Sequence, residues 1–336
     1  MTGITLVMGS GGVGKTTVAA GTAALVAQTG RRTLAITVDP ARRLADAMGI
    51  RQSSAPSSVP GFAHLDVEML DAAAAWDDIA RHHADAATAR RLIANPYFRA
   101  VADRFPSGQN YAAGETLLRH AESGRYDHIV VDTPPADGGS AFLAAPRRIR
   151  TLVAGRALRV LTGPRLPGRR LVYAVTARPA LKVADTVLGG RLLEDVAEFL
   201  LDLSAIYPGL ARRSRAVEAL YAGAGLVVVA TPDPGPIAEA RSILSHPMGS
   251  IWAPRAVVFN RVVPHAWAKA PAALDPIGTN LLRWAAEAGH HEALRHSFAT
   301  RTGITPTALP WLAEPPASPL ALADLMRSAG FDPQLS

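Results

Sequence analysis

Residues 4–17 read ITLVMGSGGVGKTT, a short apolar run followed at once by a glycine-rich turn. The apolar part, residues 4–8, is rich in β-branched side chains and predicts a buried strand. Residues 9–17, GSGGVGKTT, match the phosphate-binding pattern G-x-x-x-x-G-K-[ST]. Glycines in such a loop let successive backbone N–H groups point inward, and the helix that follows adds its positive dipole end. The stretch therefore predicts a strand, a phosphate-binding loop and a helix.

Two side chains of this loop have predicted chemical roles. Lys15 would neutralise the β- and γ-phosphates, and the hydroxyl of Thr16 would coordinate Mg²⁺. The other members would act mainly through their backbone. The predicted phosphate-binding residues are Gly11, Gly12, Val13, Gly14, Lys15, Thr16 and Thr17.

The rest of the chain predicts an α/β core interrupted by helices. A helix at 16–28 and a strand at 33–38 complete a strand–helix–strand unit, which is typical of a parallel sheet. Further strands are predicted at 128–132, 225–231, 255–260 and near 305–310, with a final helix at about 319–328. Residues 53–60, SSAPSSVP, predict a flexible loop.

Two regions lack strand signals and divide the predicted core. The first part of the core is 1–140, with a helical excursion at about 71–124, and the second part is 223–336. Residues 141–222 form a predicted helical insertion for a client or partner. Its apolar stripe favours core packing, with a groove for an apolar partner segment as the alternative; the stripe comprises Leu192, Leu193, Val196, Phe199, Leu200 and Leu203.

Asp132 ends the apolar run HIVVD and is a candidate carboxylate of a nucleotide site, in addition to the glycine-rich loop. A carboxylate at the end of a buried strand would lie near the metal, directly or through water. The turn after it, Thr133, Pro134 and Pro135, predicts a nucleotide-sensing switch. The alternative is a strand-end aspartate that caps the next turn.

Asp39 ends the second predicted strand. Parallel strands bring their carboxyl ends to one edge of a sheet, so Asp39 is expected beside the phosphate-binding loop. There it would orient or deprotonate the water that attacks the γ-phosphate. The alternative is helix capping before Pro40. Asp46 is a candidate for holding this segment or the metal shell, with a surface or capping role as the alternative.

The motifs GSGGVGKTT, VDPARRLADA and VVDTPP, in this order, resemble the ArsA/Get3 family of P-loop ATPases. This deviant Walker group also holds the Min and Par ATPases, and the chain looks closest to the actinobacterial-type ArsA-like branch. The resemblance implies a doubly wound, mostly parallel sheet with an inserted α-helical subdomain. It also implies Mg²⁺-dependent ATP hydrolysis coupled to the opening and closing of a dimer.

The resemblance also implies roles for individual residues. Asp39 would be catalytic. Asn260 would read the adenine together with Pro310 and Trp311, and an amide can both donate to and accept from a purine edge; turn capping is the alternative for Asn260. Switch I would comprise Asp39, Pro40, Arg42, Arg43 and Asp46, and switch II Asp132, Thr133, Pro134 and Pro135.

Ser10 departs from the family pattern, whose loop usually carries a lysine that reaches the nucleotide of the opposite subunit. A serine is short and uncharged and cannot supply that cation. Three explanations remain open. The chain pairs with a lysine-bearing paralogue, or Arg42 or Arg43 substitutes, or the chain binds ATP and hydrolyses it slowly.

The absence of cysteine removes thiolate ligands altogether. As(III) and Sb(III) favour soft ligands, so we expect neither an arsenite site nor a zinc clamp.

The formal net charge is +7, and most of the positive charge is arginine, which reflects base composition or an anionic partner. No apolar run is long enough to span a bilayer and the N-terminus lacks a signal-peptide pattern, so the expected location is cytoplasmic, with peripheral membrane attachment left open.

Three functions fit these observations. The first is an ATPase switch, as a homodimer or heterodimer, that handles a hydrophobic or membrane-protein client through its helical insertion. The second is a nucleotide-binding regulatory subunit of a heterodimer. The third is a Par- or Min-like ATPase that acts on DNA or a membrane. The arginines lack the interleaved aromatic side chains of nucleic-acid surfaces, which disfavours DNA.

Overall fold

The computed structural model describes residues 2–39, 43–51, 53–104, 106–134, 136–154, 192–245, 254–269 and 276–332. The chain divides into two compact units. The sheet unit comprises Met1–Leu70, Arg119–Ser140 and Tyr221–Ser336, and the helical unit comprises Asp71–Leu118 and Ala141–Leu220. No helix within the described ranges is long and apolar enough to cross a membrane.

The sheet unit is built on one sheet whose eight described strands run in the order β3-β4-β2-β5-β1-β6-β7-β8. Only β3 and β4 pair antiparallel; the other neighbouring strands are parallel. The strands are β1 (Gly3–Gly9), β2 (Thr33–Thr37), β3 (Ser57–Ser58), β4 (Leu65–Met69), β5 (His128–Asp132), β6 (Gly225–Ala230), β7 (Pro254–Val262) and β8 (Thr307–Pro310).

The helices are numbered here in chain order through the described residues. They are α1 (Lys15–Ala27), α2 (Arg43–Ala47), α3 (Ala72–His83), α4 (Ala86–Ala94), α5 (Pro96–Arg104), α6 (Pro106–Glu122), α7 (Ala136–Ala154), α8 (Leu192–Ala222), α9 (Pro234–Ser245), α10 (Pro276–Thr302) and α11 (Pro319–Ser328). A short 3₁₀ helix spans His265–Lys269.

The register of the central strands collects their carboxyl ends at one edge. Asp132 on β5 lies opposite Val7 on β1 and opposite Thr37 on β2. The chain leaves β1 into the glycine-rich loop at this same edge. Because the central strands are buried on both faces, their near-continuous apolar sequences are those expected of a parallel sheet.

Helix α1 packs tightly because its buried side chains are small. It carries Ala19, Ala20, Ala23 and Ala24, each at most 1% exposed. At Gly21 an added Cβ would lie 2.6 Å from Cγ of Met326 on α11. Small residues therefore let α11 approach the helix that follows the glycine-rich loop.

The helical unit has its own aromatic core. The rings of Trp76 and Phe98 meet edge to face with centroids 5.8 Å apart, and Trp76 also contacts Tyr111 at 5.7 Å. Trp76 Nε1 donates to the carbonyl of Gly108 at 3.1 Å. Arg91 on α4 forms two hydrogen bonds to the carboxylate of Asp202 on α8, at 2.9 and 3.1 Å. The apolar core and this ion pair join early and late segments of the chain within one unit.

Most predicted elements are confirmed, but the sheet has two strands that the sequence reasoning missed. β4 was not predicted, because Asp66 and Glu68 interrupt its apolar residues. The predicted flexible loop at 53–60 is wrong in part, since it contains β3, which pairs with β4. Glu68 is 3% exposed, and its Oε2 lies 2.6 Å from Nε2 of His120 on α6, which explains how a charged residue occupies a buried strand.

Helices α3–α6 lie within 71–124, the segment for which a helical excursion is predicted. Within the predicted insertion, 155–191 lies outside the described residues. The apolar stripe contributes to the core of the helical unit, where Phe199 is buried and Leu200 and Leu203 pack against it. Val196 is half-buried. For Phe199, Leu200 and Leu203 the core-packing interpretation holds; the side chains of Leu192 and Leu193 lie outside the description.

His128 gives the fold a specific pH dependence. Its Nδ1 accepts from Arg31 at 2.9 Å, so Nε2 carries the proton and donates to Thr5 Oγ1 at 2.9 Å. Burial first, and the charge of Arg31 second, lower the pKa of His128 to about 4. The unfolded chain binds a proton at this position below about pH 6.5, whereas the folded protein does not until about pH 4. Stability is therefore lost as pH falls through this window.

We expect the wild type to lose about 3 kcal/mol more unfolding free energy than His128→Gln between pH 7 and pH 4, as measured by urea unfolding. Glutamine keeps a donor and an acceptor at this position but does not titrate. His64→Gln, at an exposed histidine, is the matched control and should follow the wild type. Parallel pH profiles for wild type and His128→Gln would contradict this assignment.

Candidate functional site

The glycine-rich loop owes its shape to two glycines in the left-handed region. Gly12 has φ +78° and Gly14 has φ +93°. The carbonyl of Gly14 accepts from the Val18 N–H at 3.0 Å, which begins α1. At Gly14 an added Cβ would lie 2.2 Å from Nδ2 of Asn260, so only glycine fits here without displacement. The loop thus curls between β1 and α1 as the sequence predicts.

Lys15 is a buried cation held within the loop. Its side chain is 8% exposed, and Nζ donates to the carbonyl of Ser10 at 2.8 Å. Burial lowers the pKa of Lys15, while the nearby carboxylates of Asp132 and Asp39 act in the opposite direction. A buried ammonium group is costly without compensating negative charge, so this position favours an anionic ligand.

Asp132 is the central carboxylate of the site. Its Oδ2 accepts from Thr16 Oγ1 at 2.8 Å and from Thr37 Oγ1 at 3.2 Å. Burial raises its pKa to about 6, although these two hydrogen bonds and the charge of Lys15 favour the ionised form. The structure therefore brings the predicted metal residues Thr16 and Asp132 into direct contact.

Thr37 is a site residue that the sequence reasoning missed. Besides its bond to Asp132, its Oγ1 accepts from the backbone N–H of Asp39 at 3.1 Å. One hydroxyl therefore links the β5 carboxylate to the segment that follows β2. The available signal was a hydroxyl residue at the end of an otherwise apolar strand, beside a predicted catalytic aspartate.

The predicted switch segments begin at this edge of the sheet. Asp39 is half-buried, and its Oδ2 lies 3.8 Å from Nη1 of Arg43, four residues later. Thr133 Oγ1 donates to the carbonyl of Val7 at 2.7 Å, which ties the start of switch II to β1. Asp46 is exposed on α2, and Pro134 is half-buried. Pro40, Arg42 and Pro135 lie outside the described residues.

Asn260 connects β7 to the glycine-rich loop. Its Nδ2 donates to the carbonyl of Val13 at 2.9 Å, and its Oδ1 accepts from the backbone N–H of Arg261 at 3.0 Å. Arg261 has φ +60°, and no other non-glycine residue among those described has a left-handed φ. Asn260 thus shapes both the loop and the end of β7, while its adenine-reading role stays a prediction, as do those of Pro310 and Trp311.

The donor set at Thr16 and Asp132 suits Mg²⁺. Hydroxyl and carboxylate oxygens are hard ligands, and Mg²⁺ usually binds one or two protein carboxylates together with water and phosphate oxygens. Within the described ranges, no group of three or more histidine, cysteine, aspartate or glutamate side chains is placed to hold a metal. With Thr16 and Asp132 as its protein ligands, Mg²⁺ would take its remaining ligands from water and phosphate oxygens.

Comparison of the sequence with known proteins shows a similarity to a family of ATPases. Residues 2–162 match the family model described as anion-transporting ATPase, ArsA type. Over these residues, which are just under half of the chain, the sequence is similar to the ArsA/Get3 family of ATPases. The matched segment contains Lys15, Asp39 and Asp132, whereas Asn260 and Trp311 lie beyond it.

Several curated proteins are similar to this chain. An uncharacterized protein of Streptomyces coelicolor is 35% identical over 217 residues, which cover 63% of this chain and 52% of that protein. A putative arsenical pump-driving ATPase of Chlorobaculum tepidum is 27% identical, covering 58% and 49%. ATPase GET3 of Rhodotorula glutinis is 28% identical, covering 59% and 55%. The chain spans about half the length of these relatives.

Gly14→Ala tests the close contact between the loop and β7. Alanine would adopt a strained left-handed φ and would push against Asn260, so we expect unfolding free energy to fall by about 1–3 kcal/mol in urea unfolding without nucleotide. The matched control is Gly11→Ala, because no atom lies within 4 Å of an added Cβ at Gly11. Equal stability of both variants would show that the Gly14–Asn260 contact does not constrain the loop.

Proposed function

We propose that this chain binds Mg-ATP at the glycine-rich loop and hydrolyses it. The observation that carries the proposal is the contact between Thr16 Oγ1 and Asp132 Oδ2, 2.8 Å apart. It unites the hydroxyl of the phosphate-binding motif with a buried strand-end carboxylate 116 positions later in the chain. That pairing of groups is the one a magnesium-bound polyphosphate requires.

Each residue has a defined task in the proposed reaction. Lys15 and the backbone N–H groups of the loop hold the β- and γ-phosphates, because a nearly buried ammonium group gains most from negative charge. Thr16 and Asp132 hold Mg²⁺, which when bound neutralises charge on the phosphates. Asp39 orients the attacking water and accepts its proton, since its carboxylate follows β2 at the edge where the loop begins.

We further propose that hydrolysis is coupled to the opening and closing of a dimer and to client handling by the helical unit. Chain continuity supports this coupling. Switch II leads directly into α7, and the residues of α7 from Ala141 onward belong to the helical unit. A change in the switch on loss of the γ-phosphate therefore has a covalent route into the helical unit. The client is proposed to be hydrophobic, and arsenite is not proposed as an activator.

Calorimetry and phosphate release together test the proposed site. Lys15→Ala should abolish Mg-ATP binding, because the phosphates lose their buried cation. Asp39→Asn should retain Mg-ATP binding within a few-fold but reduce turnover at least a hundredfold, because the phosphate cradle remains while the base is lost. Turnover is measured as inorganic phosphate released.

The matched control for Lys15 is Lys269→Ala, at an exposed lysine outside the site, which should bind Mg-ATP like the wild type. Absence of Mg-ATP binding to the wild type would refute the function. Normal turnover by Asp39→Asn would leave nucleotide binding intact but remove Asp39 as the base.

A second candidate function is favoured by Ser10. This position has a neutral side chain whose Oγ is buried and finds no hydrogen-bond partner among the described residues. The chain therefore offers no cation from this position to a partner subunit. The matching function is a nucleotide-binding regulatory subunit that pairs with a lysine-bearing paralogue.

Ser10→Lys separates the two candidates. If the missing cation limits the rate, two such variant subunits can complete each other's sites, and phosphate release per subunit should rise roughly tenfold or more, as expected for a charge placed at the transferred phosphate. Ser10→Gln, with a long neutral side chain, should show no increase. An unchanged rate in Ser10→Lys would leave hydrolysis limited by something other than this cation.

A further inference from the structure

The sheet unit contains a cavity of about 500 Å³ that begins at the phosphate-binding loop. Gly11, Gly12 and Val13 form its first wall, and the chain beyond β6 and β7 forms its sides. The farther wall includes two tryptophans, Trp284 on α10 and Trp311 just after β8. This volume lies within the range of sites that enclose small-molecule ligands.

The two tryptophans form an exposed aromatic surface in this cavity. Their ring centroids lie 5.5 Å apart with planes tilted by 36°. Trp284 is 40% exposed and Trp311 is 38% exposed. Because the rings touch each other, a planar ligand cannot enter between them and would pack against their free faces. Aromatic ligands gain most from such surfaces by stacking.

The segments that carry the two tryptophans are hydrogen-bonded to the chain at the end of β7, two and three residues after Asn260. The backbone N–H of Trp311 donates to the carbonyl of Val262 at 2.8 Å. On α10, His291 follows Trp284 by about two helical turns, and its Nδ1 accepts from the Val263 N–H at 3.0 Å. His291 Nε2 lies 2.9 Å from Glu287 Oε1, which fixes the ring. The aromatic wall is therefore held by buried hydrogen bonds beside the loop.

We propose that Trp284, together with Trp311, stacks on the base of the nucleotide whose phosphates occupy the loop. This inference rests on the proposed nucleotide binding and adds α10, an element to which the sequence reasoning gave no role. Stacking on an aromatic face is tolerant of base identity. Trp284 therefore adds affinity for a ligand with a base and none for the bare phosphate chain.

Trp267 provides a control within the same aromatic cluster. It is also 40% exposed, and its ring centroid lies 5.9 Å from Trp284 and 6.4 Å from Trp311. It is absent from the described lining of the cavity. Trp267→Ala therefore removes a comparable exposed ring without removing the cavity wall.

The test compares two ligands by calorimetry, Mg-ATP and magnesium tripolyphosphate, which has the phosphate chain but no base. Trp284→Ala should weaken Mg-ATP binding roughly tenfold and leave tripolyphosphate binding unchanged. Trp284→Phe, which keeps an aromatic face, should recover most of the loss. Trp267→Ala should bind both ligands like the wild type.

Two outcomes would overturn the inference while leaving the proposed function standing. One is unchanged Mg-ATP affinity in Trp284→Ala. If this variant also has a lower molar mass in sedimentation equilibrium, the aromatic cluster is instead a contact between copies of the chain. The other is an equal loss of affinity for both ligands. If the wild type binds neither ligand, the proposed function fails and the inference fails with it.

Discussion

The buried carboxylate of Asp132 must be stabilised by the groups that surround it. A carboxyl group at the centre of a parallel sheet is costly to ionise, and burial raises its pKa to about 6. Two hydroxyl donors and the charge of Lys15 oppose that effect. Lys15 and Thr16 come from the start of α1 and Thr37 comes from β2, so stabilising this one carboxylate on β5 fixes how these elements meet.

The same requirement explains why the glycine-rich loop suits an anionic ligand. Lys15 is buried beside Asp132, and its ammonium is bound by the carbonyl of Ser10. A carbonyl dipole compensates a buried cation less well than full negative charge does. Phosphates would supply that charge together with a metal at Thr16 and Asp132. The protein alone thus holds both charges in an arrangement that a magnesium-bound polyphosphate completes.

The sequence predicted the parts of the fold and site whose signals are local. The central strands are uniformly apolar because both of their faces are buried, and the loop motif is contiguous. β4 escaped prediction because Glu68 lies against His120, which follows 52 positions later by residue number. Likewise, the bond from Asn260 to Val13 spans 247 positions, and no local pattern encodes it. Contacts between residues far apart in the sequence could be identified only from the structure.

Serine at position 10 removes a positive charge but leaves the backbone of the glycine-rich loop intact. Lys15 is bound by the backbone carbonyl of residue 10, not by its side chain, so the loop can hold its own lysine with any residue at that position. The neighbouring glycines set the curl independently. What the serine removes is a cation that would extend beyond the chain's own site. In the proposed function, the consequence of this substitution would therefore fall on a partner subunit's phosphates, whereas the glycine-rich loop of this chain retains its own donors.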